Sequence, residues 1–598
     1  MRVRTIFPFG IVICAALLAA SCGGGGSSPP PDTISIQLGS STLAVTQDGT
    51  PASLTVSITS SGNPSTVTFS PASLPSGVMS QIVSSGSGGT INFTASSAAA
   101  GTYPVTVNAT DGVASASANF NLVVAILATV HSTVNTNAGV NGFLQEFMST
   151  SFQPAEWDSS FFTINPGATT PLNNLNSQHI RLQPVSAGTP QKDANTWDFT
   201  VLDAILNPVI SVTDKSPELQ IAVAPGFMRN ADGSFVDPSY QQFAQYCANL
   251  VRYYNTSTGF VDGAGKTHVH SRPVTPITWW GIFNEPNING VKAAEYPKLY
   301  NAVVPAMQAA GSVVPLKFVA VELADFGSEP QNYLPSFVSG VTAQVDAVAT
   351  HYYSSCNQSD LDTSLFGQIS ATFVPHVNFI YTTLRNPPAN PALATVPVWV
   401  TENNVNADFG NAQGNSTCNP MQKFVTDQRG TSAFFAAWRP YVFSQLGQVG
   451  NQALYHWDFD ADQQYGEEDY TTGKTYLSYW VDYELARYFP SPPGSNILTL
   501  NSTENTTVEV LATKNDDGSV VVMVANRAVH ASSDDNGPGD PRTVVVDLTA
   551  LGTFGSATQL TIDANTDPSK GPMAASVTPA SHMTISLGGY GVTILLLK

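Results

Sequence analysis

Ile277-Thr-Trp-Trp-Gly-Ile-Phe-Asn284-Glu285-Pro286-Asn287 is an apolar run that ends abruptly in a glutamate and a proline. The run has the composition of a strand buried on both faces, and Pro286 cannot continue the hydrogen-bond ladder of such a strand. Val396-Pro-Val-Trp-Val-Thr401-Glu402-Asn403 repeats this arrangement further along the chain. Two buried strands that each end in a carboxylate predict a parallel sheet with polar chemistry at its carboxyl edge.

Similar apolar runs precede, separate and follow these two, and helical patterns such as Pro238–Tyr254, Lys292–Ala310 and Ser432–Gln445 lie between several of them. This alternation indicates βα units, and eight such units close a (β/α)8 TIM barrel whose functional residues gather at the C-terminal strand ends. The predicted barrel strands lie near Thr129–Val134 and at His179–Leu182, Glu218–Ala224, Ile277–Phe283, Leu316–Val321, Val345–Thr350, Val396–Thr401 and Gln452–Trp457.

The length of 598 residues predicts a multidomain chain, because single cores stop growing near about 250–300 residues. Residues 33–125 show short alternating segments with almost no charge, which predicts a β-sandwich. Within it, Gly101-Thr-Tyr-Pro-Val-Thr-Val-Asn-Ala-Thr-Asp-Gly112 resembles bacterial immunoglobulin-like modules, and its few aromatics favour a spacer over a sugar-binding module. The catalytic barrel is expected at 126–490. A C-terminal β-sandwich is expected at 491–598, with the hairpin signal Asn515-Asp-Asp-Gly518.

The N-terminus has the features of an export signal. Arg2 and Arg4 precede an apolar run that is too short to span a bilayer comfortably. Leu18-Ala19-Ala20-Ser21-Cys22 resembles a bacterial lipoprotein cleavage box, in which Cys22 becomes the lipidated first residue, although Ala19 stands where leucine is usual. The alternative is an ordinary signal peptide with a chance cysteine. Residues 1–22 thus predict a lipoprotein signal and residues 23–32 a Gly/Ser/Pro linker, which together imply a lipid-anchored protein of the bacterial cell envelope or surface.

Charge and cysteine content limit the partners. The chain has 23 Lys+Arg against 43 Asp+Glu, a formal charge of −20, which disfavours nucleic acid and anionic membrane surfaces. We therefore expect no nucleic-acid partner and membrane contact only through the lipid. Cys247, Cys356 and Cys418 are too few for a disulfide scaffold, and a Cys356–Cys418 bridge is conceivable without being fixed by the sequence.

The paired glutamates suit the hydrolysis of a glycosidic bond. One carboxyl group must protonate the leaving oxygen, and the other must meet the oxocarbenium-like centre. A separation of about 5 Å permits direct attack with retention, whereas roughly 6.5–9.5 Å admits a water molecule and inverts the centre. Strand ends around a barrel mouth can supply the shorter spacing, and an ionised partner raises the pKa of the acid. Glu285 and Glu402 are the candidate catalytic pair.

At these motifs the chain resembles clan A glycoside hydrolases, and within them family 39, over about residues 126–598. The resemblance implies a retaining double displacement with the acid/base in Asn284-Glu285-Pro286 and the nucleophile in Thr401-Glu402. Phe283 is the aromatic residue that usually precedes the first motif, whereas Asn403-Asn404 replaces the commoner tryptophan after the second. Families 5, 30, 51 and 79 stay open as neighbours.

The resemblance also implies roles for five supporting residues. Arg181 would hold the nucleophile ionised, His351 and Tyr353 would form the His-x-Tyr whose phenol bonds the nucleophile, Asn284 would bond the sugar 2-hydroxyl, and Trp457 would be the aromatic floor. Each residue type is also common in purely structural roles, and its place at a strand end favours the functional one.

No cofactor and no metal are predicted. The acids of Asp458-Phe-Asp460-Ala-Asp462, with Asp469, fall at positions one, three, five and twelve of a calcium loop, but Gln463 occupies the position that requires glycine. An acidic loop at the rim of the site is expected instead.

The leading functional hypothesis is a retaining hydrolase of poly- or oligosaccharides, of the β-xylosidase or glucanase kind. Its rivals are a surface carbohydrate-binding or adhesion protein on an inactive barrel, and a transglycosylase. A binder has no need of a matched acid and nucleophile, whereas a transglycosylase would use the same intermediate. The sugar, its anomeric configuration and endo or exo action depend on loop shapes that the sequence does not specify.

Overall fold

The structure is a computed structural model. It describes residues 33–46, 51–61, 67–95, 98, 101–125, 128–153, 161–184, 188–210, 216–271, 275–324, 328–357, 359–385, 390–489 and 495–598. The chain divides into two compact units, 1–126 and 127–598. The predicted signal, Cys22 and the linker lie outside the described residues.

The first unit contains two four-stranded sheets that share one apolar core. One sheet has the order β1-β3-β6-β5 and the other the order β2-β8-β7-β4. Alternate residues of the strands, such as Ile91, Phe93 and Val105, point into the core, as the period-two pattern predicts. The strands are β1 (Thr33–Leu38), β2 (Thr42–Thr46), β3 (Ala52–Ser61), β4 (Thr68–Ala72), β5 (Val78–Ser85), β6 (Gly88–Ala95), β7 (Gly101–Thr110) and β8 (Ser115–Ala125).

The second unit begins with the long strand β9 (Ala128–Phe143), and here the sequence prediction is wrong. Thr129–Val134 was expected to open the barrel, but β9 pairs with Asn496–Ser502 and Arg542–Asp547 of the C-terminal sheet. The first barrel strand is Ser151–Phe152. Thr129–Val134 alternates buried and more exposed residues, which suits a strand of a sheet with one face on a core better than a strand buried on both faces.

Eight parallel strands form a nearly closed barrel in chain order. Isolated parallel bridges from Phe147 to Ala453 and from Phe152 to His456 connect the last strand to the first. The other seven predicted strands are confirmed, with ends that shift by a few residues. The barrel strands are β10 (Ser151–Phe152), β11 (His179–Leu182), β12 (Glu218–Ile221), β15 (Trp279–Ile282), β16 (Lys317–Leu323), β17 (Ala347–Ser355), β18 (Val398–Asn406) and β19 (Ala453–Leu454); short ribbons pair β13 (Phe260–Val261) with β14 (Thr267–His268) and β20 (Asp460–Ala461) with β21 (Glu468–Asp469).

Helices connect these strands, as repeated βα units require. They are α1 (Phe161–Ile164), α2 (Thr169–Asn174), α3 (Thr200–Ile210), α4 (Gln241–Asn255), α5 (Tyr296–Gln308), α6 (Ser328–Gly340), α7 (Asp362–Gln368), α8 (Val374–Arg385), α9 (Ala433–Gln448) and α10 (Leu477–Tyr488), with a π-turn at Ile369–Phe373 and short 3-10 turns at Pro166–Ala168, Gly226–Met228, Pro391–Leu393, Gln428–Gly430 and Thr549–Leu551. Among the described residues, no helix has the length and apolar character needed to cross a membrane.

The C-terminal region forms a nine-stranded sheet that includes β9. One set of its apolar residues joins strands from both ends of the sheet, so the sheet curls over its own core. Other strand residues pack on α9, which is buried on nearly all sides, as expected for a helix between two layers. The remaining strands are β22 (Asn496–Ser502), β23 (Val508–Lys514), β24 (Val520–Asn526), β25 (Arg542–Asp547), β26 (Ala557–Asp563), β27 (Ala575–Val577), β28 (His582–Leu587) and β29 (Gly591–Leu597).

A disulfide joins Cys356, which directly follows β17, to Cys418 in the long segment after β18. The pairing that the sequence left open is therefore present. Cys247 is a free, buried thiol on α4. The bridge ties together two loops at the carboxyl end of the barrel, next to the strands that carry His351 and Glu402.

Candidate active site

Glu285 and Glu402 lie at the carboxyl end of the barrel, where the strand-end motifs predict them. Glu285 follows β15 and Glu402 lies within β18. The side chain of Glu402 is 8% exposed and that of Glu285 is 20% exposed, so Glu285 is the more accessible of the two. The backbone of Phe283 and Glu285 adopts left-handed φ angles of 69° and 45°. Such strain in non-glycine residues concentrates at functional sites, where the surrounding structure holds it in place.

His351 lies between the two glutamates. Its Nδ1 atom is 2.9 Å from Oε1 of Glu285 and 3.3 Å from Oε2 of Glu402. Carboxylate oxygens of both glutamates and a ring nitrogen of His351 all lie within 4.8 Å of one another. His351 and Glu402 are paired residues of β17 and β18, which explains why the imidazole reaches Glu402. The two strand ends thus bring a carboxylate oxygen of each glutamate to within 4.8 Å of the other.

Arg181, on β11, is fully buried and binds Glu402 directly. Its Nη1 donates to Oε1 of Glu402 at 3.2 Å and its Nη2 donates to Oδ1 of Asn284 at 3.1 Å. A guanidinium group is always charged, and its planar set of donors can hold several acceptors in fixed positions. Arg181 therefore positions Glu402 and also fixes the amide orientation of Asn284.

Tyr353 contacts the carboxylate oxygen of Glu402 that Arg181 does not bind, and Trp457 packs against Tyr353. The phenol of Tyr353 donates to Oε2 of Glu402 at 3.1 Å. The ring of Trp457 is 9% exposed and packs edge-on against Tyr353, with 6.4 Å between ring centroids, and against Tyr465 at 4.7 Å. All seven residues that the sequence singled out in the barrel therefore lie in one cluster, and Tyr465 joins them.

Burial and hydrogen bonding set the pKa values of Glu285, Glu402 and His351 and so decide which of them carries a proton. Burial raises the pKa of Glu285 to about 7, against an opposing effect of Arg181, and lowers the pKa of His351 to about 4. Burial also raises the pKa of Glu402, while His351 and Arg181 oppose that shift. Because Glu402 accepts hydrogen bonds from both Arg181 and Tyr353, the negative charge is favoured on Glu402 and the shared proton on Glu285.

The tautomer of His351 follows from its surroundings. Nδ1 faces the carboxyl groups, whereas the buried Nε2 has no hydrogen-bond partner in the described part of the chain. An unpaired acceptor nitrogen costs less than an unpaired buried N–H donor would. A neutral imidazole that carries its proton on Nδ1 and donates toward the carboxyl groups is therefore favoured.

A third carboxylate, Glu322 at the end of β16, was missed by the sequence reasoning. Its Oε1 accepts from Nε of Arg181 at 3.1 Å, its Oε2 accepts from Gln220 at 2.7 Å, and its backbone carbonyl accepts from the N–H of Glu285 at 3.1 Å. Glu322 thus contacts the supports of both candidate catalytic glutamates. The ending Val-Ala-Val-Glu-Leu was a detectable signal, since it is another buried strand that finishes in a carboxylate.

Gln153 and Glu218 were also missed. Gln153 accepts from Nη1 of Arg181 at 3.0 Å, and Glu218 lies 4.0 Å from Nε of the same arginine. A Cβ atom at Gly281 would lie 2.8 Å from the carboxylate of Glu322 and 3.1 Å from that of Glu218. Glycine at this position of β15 therefore makes room for the buried carboxylates, which explains the break in its otherwise bulky sequence.

Two sets of side chains have the composition of a metal site in the described part of the chain. One is Glu285, His351 and Glu402, and the other is His456, Glu467 and Asp482. Arg181 beside Glu402 disfavours a cation in the first set. In the second set, Asp482 binds Nδ1 of His456 at 2.8 Å. Burial lowers the pKa of His456, but hydrogen bonds to Asp482 and Glu467 outweigh burial and raise that pKa to about 9. That set is therefore already neutralised by a protonated histidine.

Tyr353→Phe is expected to lower kcat by about 10–100-fold, because it removes one charge-assisted hydrogen bond to Glu402. The matched control is Tyr352→Phe, since the phenol of Tyr352 contacts Ser354 and its ring stacks on Phe373. Steady-state kinetics on an aryl glycoside, the substrate class expected for the paired glutamates, measure both variants. Equal losses in the two variants would contradict a specific role for the phenol of Tyr353.

The fold of this chain is similar to that of solved glycoside hydrolases. A GH51 arabinofuranosidase from Xanthomonas axonopodis pv. citri superposes with a TM-score of 0.54 at 13% sequence identity, over 79% of this chain and 100% of that chain. The thermostable GH51 α-L-arabinofuranosidase from Thermotoga petrophila RKU-1 superposes with a TM-score of 0.52 at 12% identity, over 78% of this chain and 100% of that chain. No protein-family model and no curated protein matches the sequence. What the chain shares with these glycoside hydrolases is an architecture, a parallel eight-stranded barrel joined to a β domain.

Proposed function

We propose that the protein is a retaining glycoside hydrolase that cleaves O-glycosidic bonds of poly- or oligosaccharides by double displacement. The observation that carries this proposal is the approach of the Glu285 and Glu402 carboxylate oxygens to within 4.8 Å. Retaining enzymes place their two carboxyl groups about 5 Å apart, whereas inverting enzymes need roughly 6.5–9.5 Å to admit a water molecule. The barrel fold and its similarity to solved glycoside hydrolases support the same chemistry.

In the first step, a carboxylate oxygen of Glu402 attacks the anomeric carbon and forms a glycosyl ester. The bond from that carbon to the leaving oxygen breaks, and the proton of Glu285 passes to the leaving oxygen. In the second step, Glu285 is ionised and takes a proton from water, and the resulting hydroxide oxygen attacks the same carbon and releases Glu402. A pKa of about 7 allows Glu285 to exchange a proton in both directions near neutrality.

The supporting residues have separate tasks in this scheme. Arg181 and Tyr353 hold Glu402 ionised and aimed at the sugar. Asn284, whose amide orientation Arg181 fixes, bonds the 2-hydroxyl, where contacts strengthen in the transition state. Trp457 forms an apolar floor on which a sugar ring stacks.

The substrate proposed is a neutral, β-linked xylose- or glucose-type saccharide, with an α-L-arabinofuranoside as the alternative because two of the similar solved structures are arabinofuranosidases. A net charge of −20 disfavours anionic polymers. Aryl β-D-xyloside, β-D-glucoside, α-L-arabinofuranoside and iduronide substrates distinguish the sugar classes in one assay, and product analysis with added sugar acceptors separates hydrolysis from transglycosylation.

Trapping the intermediate tests the mechanism. The protein is incubated with a fluorinated analogue of the glycoside that it hydrolyses fastest, and its peptides are analysed by mass spectrometry. The mass of the fluorosugar is expected on one peptide, the one that contains Glu402. A protein that binds polysaccharide but shows neither turnover nor a labelled Glu402 would be a carbohydrate-binding protein on an inactive barrel. An ester on any other residue would refute the assignment of the nucleophile.

We further propose that the chain belongs with family 39 within clan A, that its first unit is an immunoglobulin-like spacer, and that Cys22 anchors it to the bacterial envelope. The cleavage-box pattern of residues 18–22 supports the anchor. In a bacterial host, labelled fatty acid is expected to be incorporated into the wild-type protein and not into Cys22→Ala. Equal labelling of the two proteins would refute the anchor.

A further inference from the structure

Arg229 lies in a hairpin beside the candidate active site. The hairpin follows β12, and an antiparallel bridge between Arg229 and Phe235 forms its stem. β12 and β15 are neighbouring parallel strands of the barrel, so the segments that follow them lie side by side at its carboxyl end. The segment after β15 carries Glu285. Arg229 is therefore placed to contact the turn that holds the proposed acid.

The guanidinium group of Arg229 contacts this turn on both sides of Glu285. Before Glu285, its Cζ atom lies 5.2 Å from the centroid of the Phe283 ring, and it also lies 4.5 Å from that of the Phe235 ring. After Glu285, its Nη2 atom donates to the backbone carbonyl of Asn289 at 2.6 Å. A guanidinium group is attracted to the face of an aromatic ring and can donate to a carbonyl at the same time. One side chain thus joins the two ends of the turn.

Asn289 links Arg229 to the backbone around the acid. The N–H of Asn289 donates to the carbonyl of Glu285 at 3.0 Å, and its side-chain amide donates to the carbonyl of Asn284 at 3.1 Å. The turn needs such support because Phe283 and Glu285 both have left-handed φ angles, which non-glycine residues keep only where their neighbours hold them. The position of Glu285 therefore depends on the contacts made at Phe283 and Asn289.

Two glycines make room for the guanidinium group. Gly233 lies in the hairpin and Gly290 directly follows Asn289, and both have left-handed φ angles, of 80° and 77°. A Cβ atom at position 290 would lie 3.1 Å from Nη2 of Arg229 and 3.0 Å from the carbonyl oxygen of Gly233. A larger residue there would push the hairpin away from the turn. The sequence thus permits the close approach that brings Arg229 to Asn289.

The place of Arg229 has a cost that an arginine in water does not bear. The residue is partly buried, and burial lowers its pKa. Its Nη1 atom is buried and has no hydrogen-bond partner among the residues that the structure describes. A desolvated charge destabilises a fold unless its contacts compensate for the lost water. The contacts with Phe283 and Asn289 contribute to that compensation, so the arginine and the turn stabilise each other.

We propose that Arg229 is a positioning residue, which holds the turn from Phe283 to Asn289 and thereby aims the carboxyl group of Glu285 at the leaving oxygen. Arg229 acts through the turn and not through contact with the substrate. The inference rests on the proposed hydrolase function, in which Glu285 is the acid. A misplaced acid slows the reaction most where the leaving group needs a proton. Loss of Arg229 should therefore show itself in how the rate depends on the leaving group.

Arg229→Met tests this role, because it keeps an unbranched side chain beside the rings and removes the charge and the donors. A phenyl and a dinitrophenyl glycoside of the same sugar are compared, the sugar being the one that the wild type hydrolyses fastest among the xyloside, glucoside, arabinofuranoside and iduronide. The measured quantity is kcat/KM, which covers only the steps that lead to the glycosyl ester. We expect a loss of about 10–100-fold on the phenyl glycoside and of less than about 3-fold on the dinitrophenyl glycoside.

The matched control is Arg527→Met, at an arginine that directly follows β24 in the C-terminal sheet. Arg527 likewise donates to a backbone carbonyl, that of Asn505, and its Cζ atom lies 4.0 Å from the centroid of the Tyr441 ring. This variant is expected to leave kcat/KM for both glycosides nearly unchanged. If Arg229→Met does not fold, as judged by near-ultraviolet circular dichroism, the uncharged variant Arg229→Gln takes its place.

The outcomes separate this role from the proposed function. A wild type that cleaves its glycosides, together with a folded Arg229 variant that loses activity equally on both leaving groups or not at all, would overturn the role of Arg229 alone. A wild type that cleaves none of the glycosides would refute the proposed function and the role of Arg229 with it.

Discussion

Glu402→Ala is expected to lower kcat by at least about 10⁴-fold, because the variant has no nucleophile to form the glycosyl ester. Glu402 accepts from Arg181 at 3.2 Å and from Tyr353 at 3.1 Å, so truncation also leaves two donors aimed at an empty space. Added azide is expected to enter that space, attack the anomeric carbon directly and restore part of the turnover. One displacement instead of two yields a glycosyl azide of inverted configuration, which nuclear magnetic resonance identifies.

The control for this experiment is Glu484→Ala, which truncates another buried glutamate. Glu484 lies on α10 and contacts Arg487 at 3.5 Å, outside the catalytic cluster. Comparable circular dichroism spectra and a nearly wild-type kcat in this variant would show that loss of a buried glutamate is not sufficient to abolish activity. Turnover by Glu402→Ala above about a tenth of wild type, without azide, would contradict the proposed nucleophile.

Most of the barrel could be predicted from the sequence because its strands are buried on both faces. His179–Leu182 was predicted to the residue, and β18 is buried at every position, from Val398 to Asn406. Such continuous apolar runs, followed by polar residues, carry a strong local signal. The prediction of the first barrel strand was wrong because Ser151–Phe152 is only two residues long, which is too short to give a sequence pattern. The nearby strand β9 has a clear alternation, but it belongs to another sheet.

The residues of the candidate active site could be predicted only where a strand-end sequence motif contained them. The strand-end patterns around Glu285, His351 and Glu402 identified the residues that the structure brings together. Glu322 and Gln153 were not predicted from the sequence. Their role depends on which strands are neighbours and on how far each side chain reaches toward Arg181. Those are properties of the folded barrel, and a linear sequence contains no measure of them.

The charge balance around Arg181 is another property of the assembled barrel. Glu218, Glu322 and Glu402 share this one permanent cation, and burial raises the pKa of all three carboxyl groups. Since one guanidinium group cannot neutralise three carboxylates and Glu285 as well, protons must occupy some of them near neutral pH. The geometry places the most readily exchanged proton on Glu285, which is the most exposed carboxyl group of the four.

Activity is therefore expected to fall as the pH rises through about 7, because Glu285 must be protonated to serve as the acid in the first step. The sign follows from burial, which disfavours the charged form and raises the pKa above its usual value. The pH dependence of kcat/KM for an alkyl or unactivated aryl glycoside measures this limb. A profile that stays flat from about pH 6 to pH 9 would contradict Glu285 as the acid.

Glu285→Ala is expected to lose about 10³–10⁴-fold in kcat/KM on substrates with poor leaving groups and much less on dinitrophenyl glycosides, whose leaving group needs no proton. The alkaline limb of the pH profile should disappear with the carboxyl group. Azide is again expected to accelerate turnover, but here it attacks the ester already formed on Glu402. Two displacements then give a glycosyl azide of retained configuration, the opposite of the Glu402→Ala product. The same azide stereochemistry from both variants would mean that the two glutamates do not have the distinct roles assigned to them.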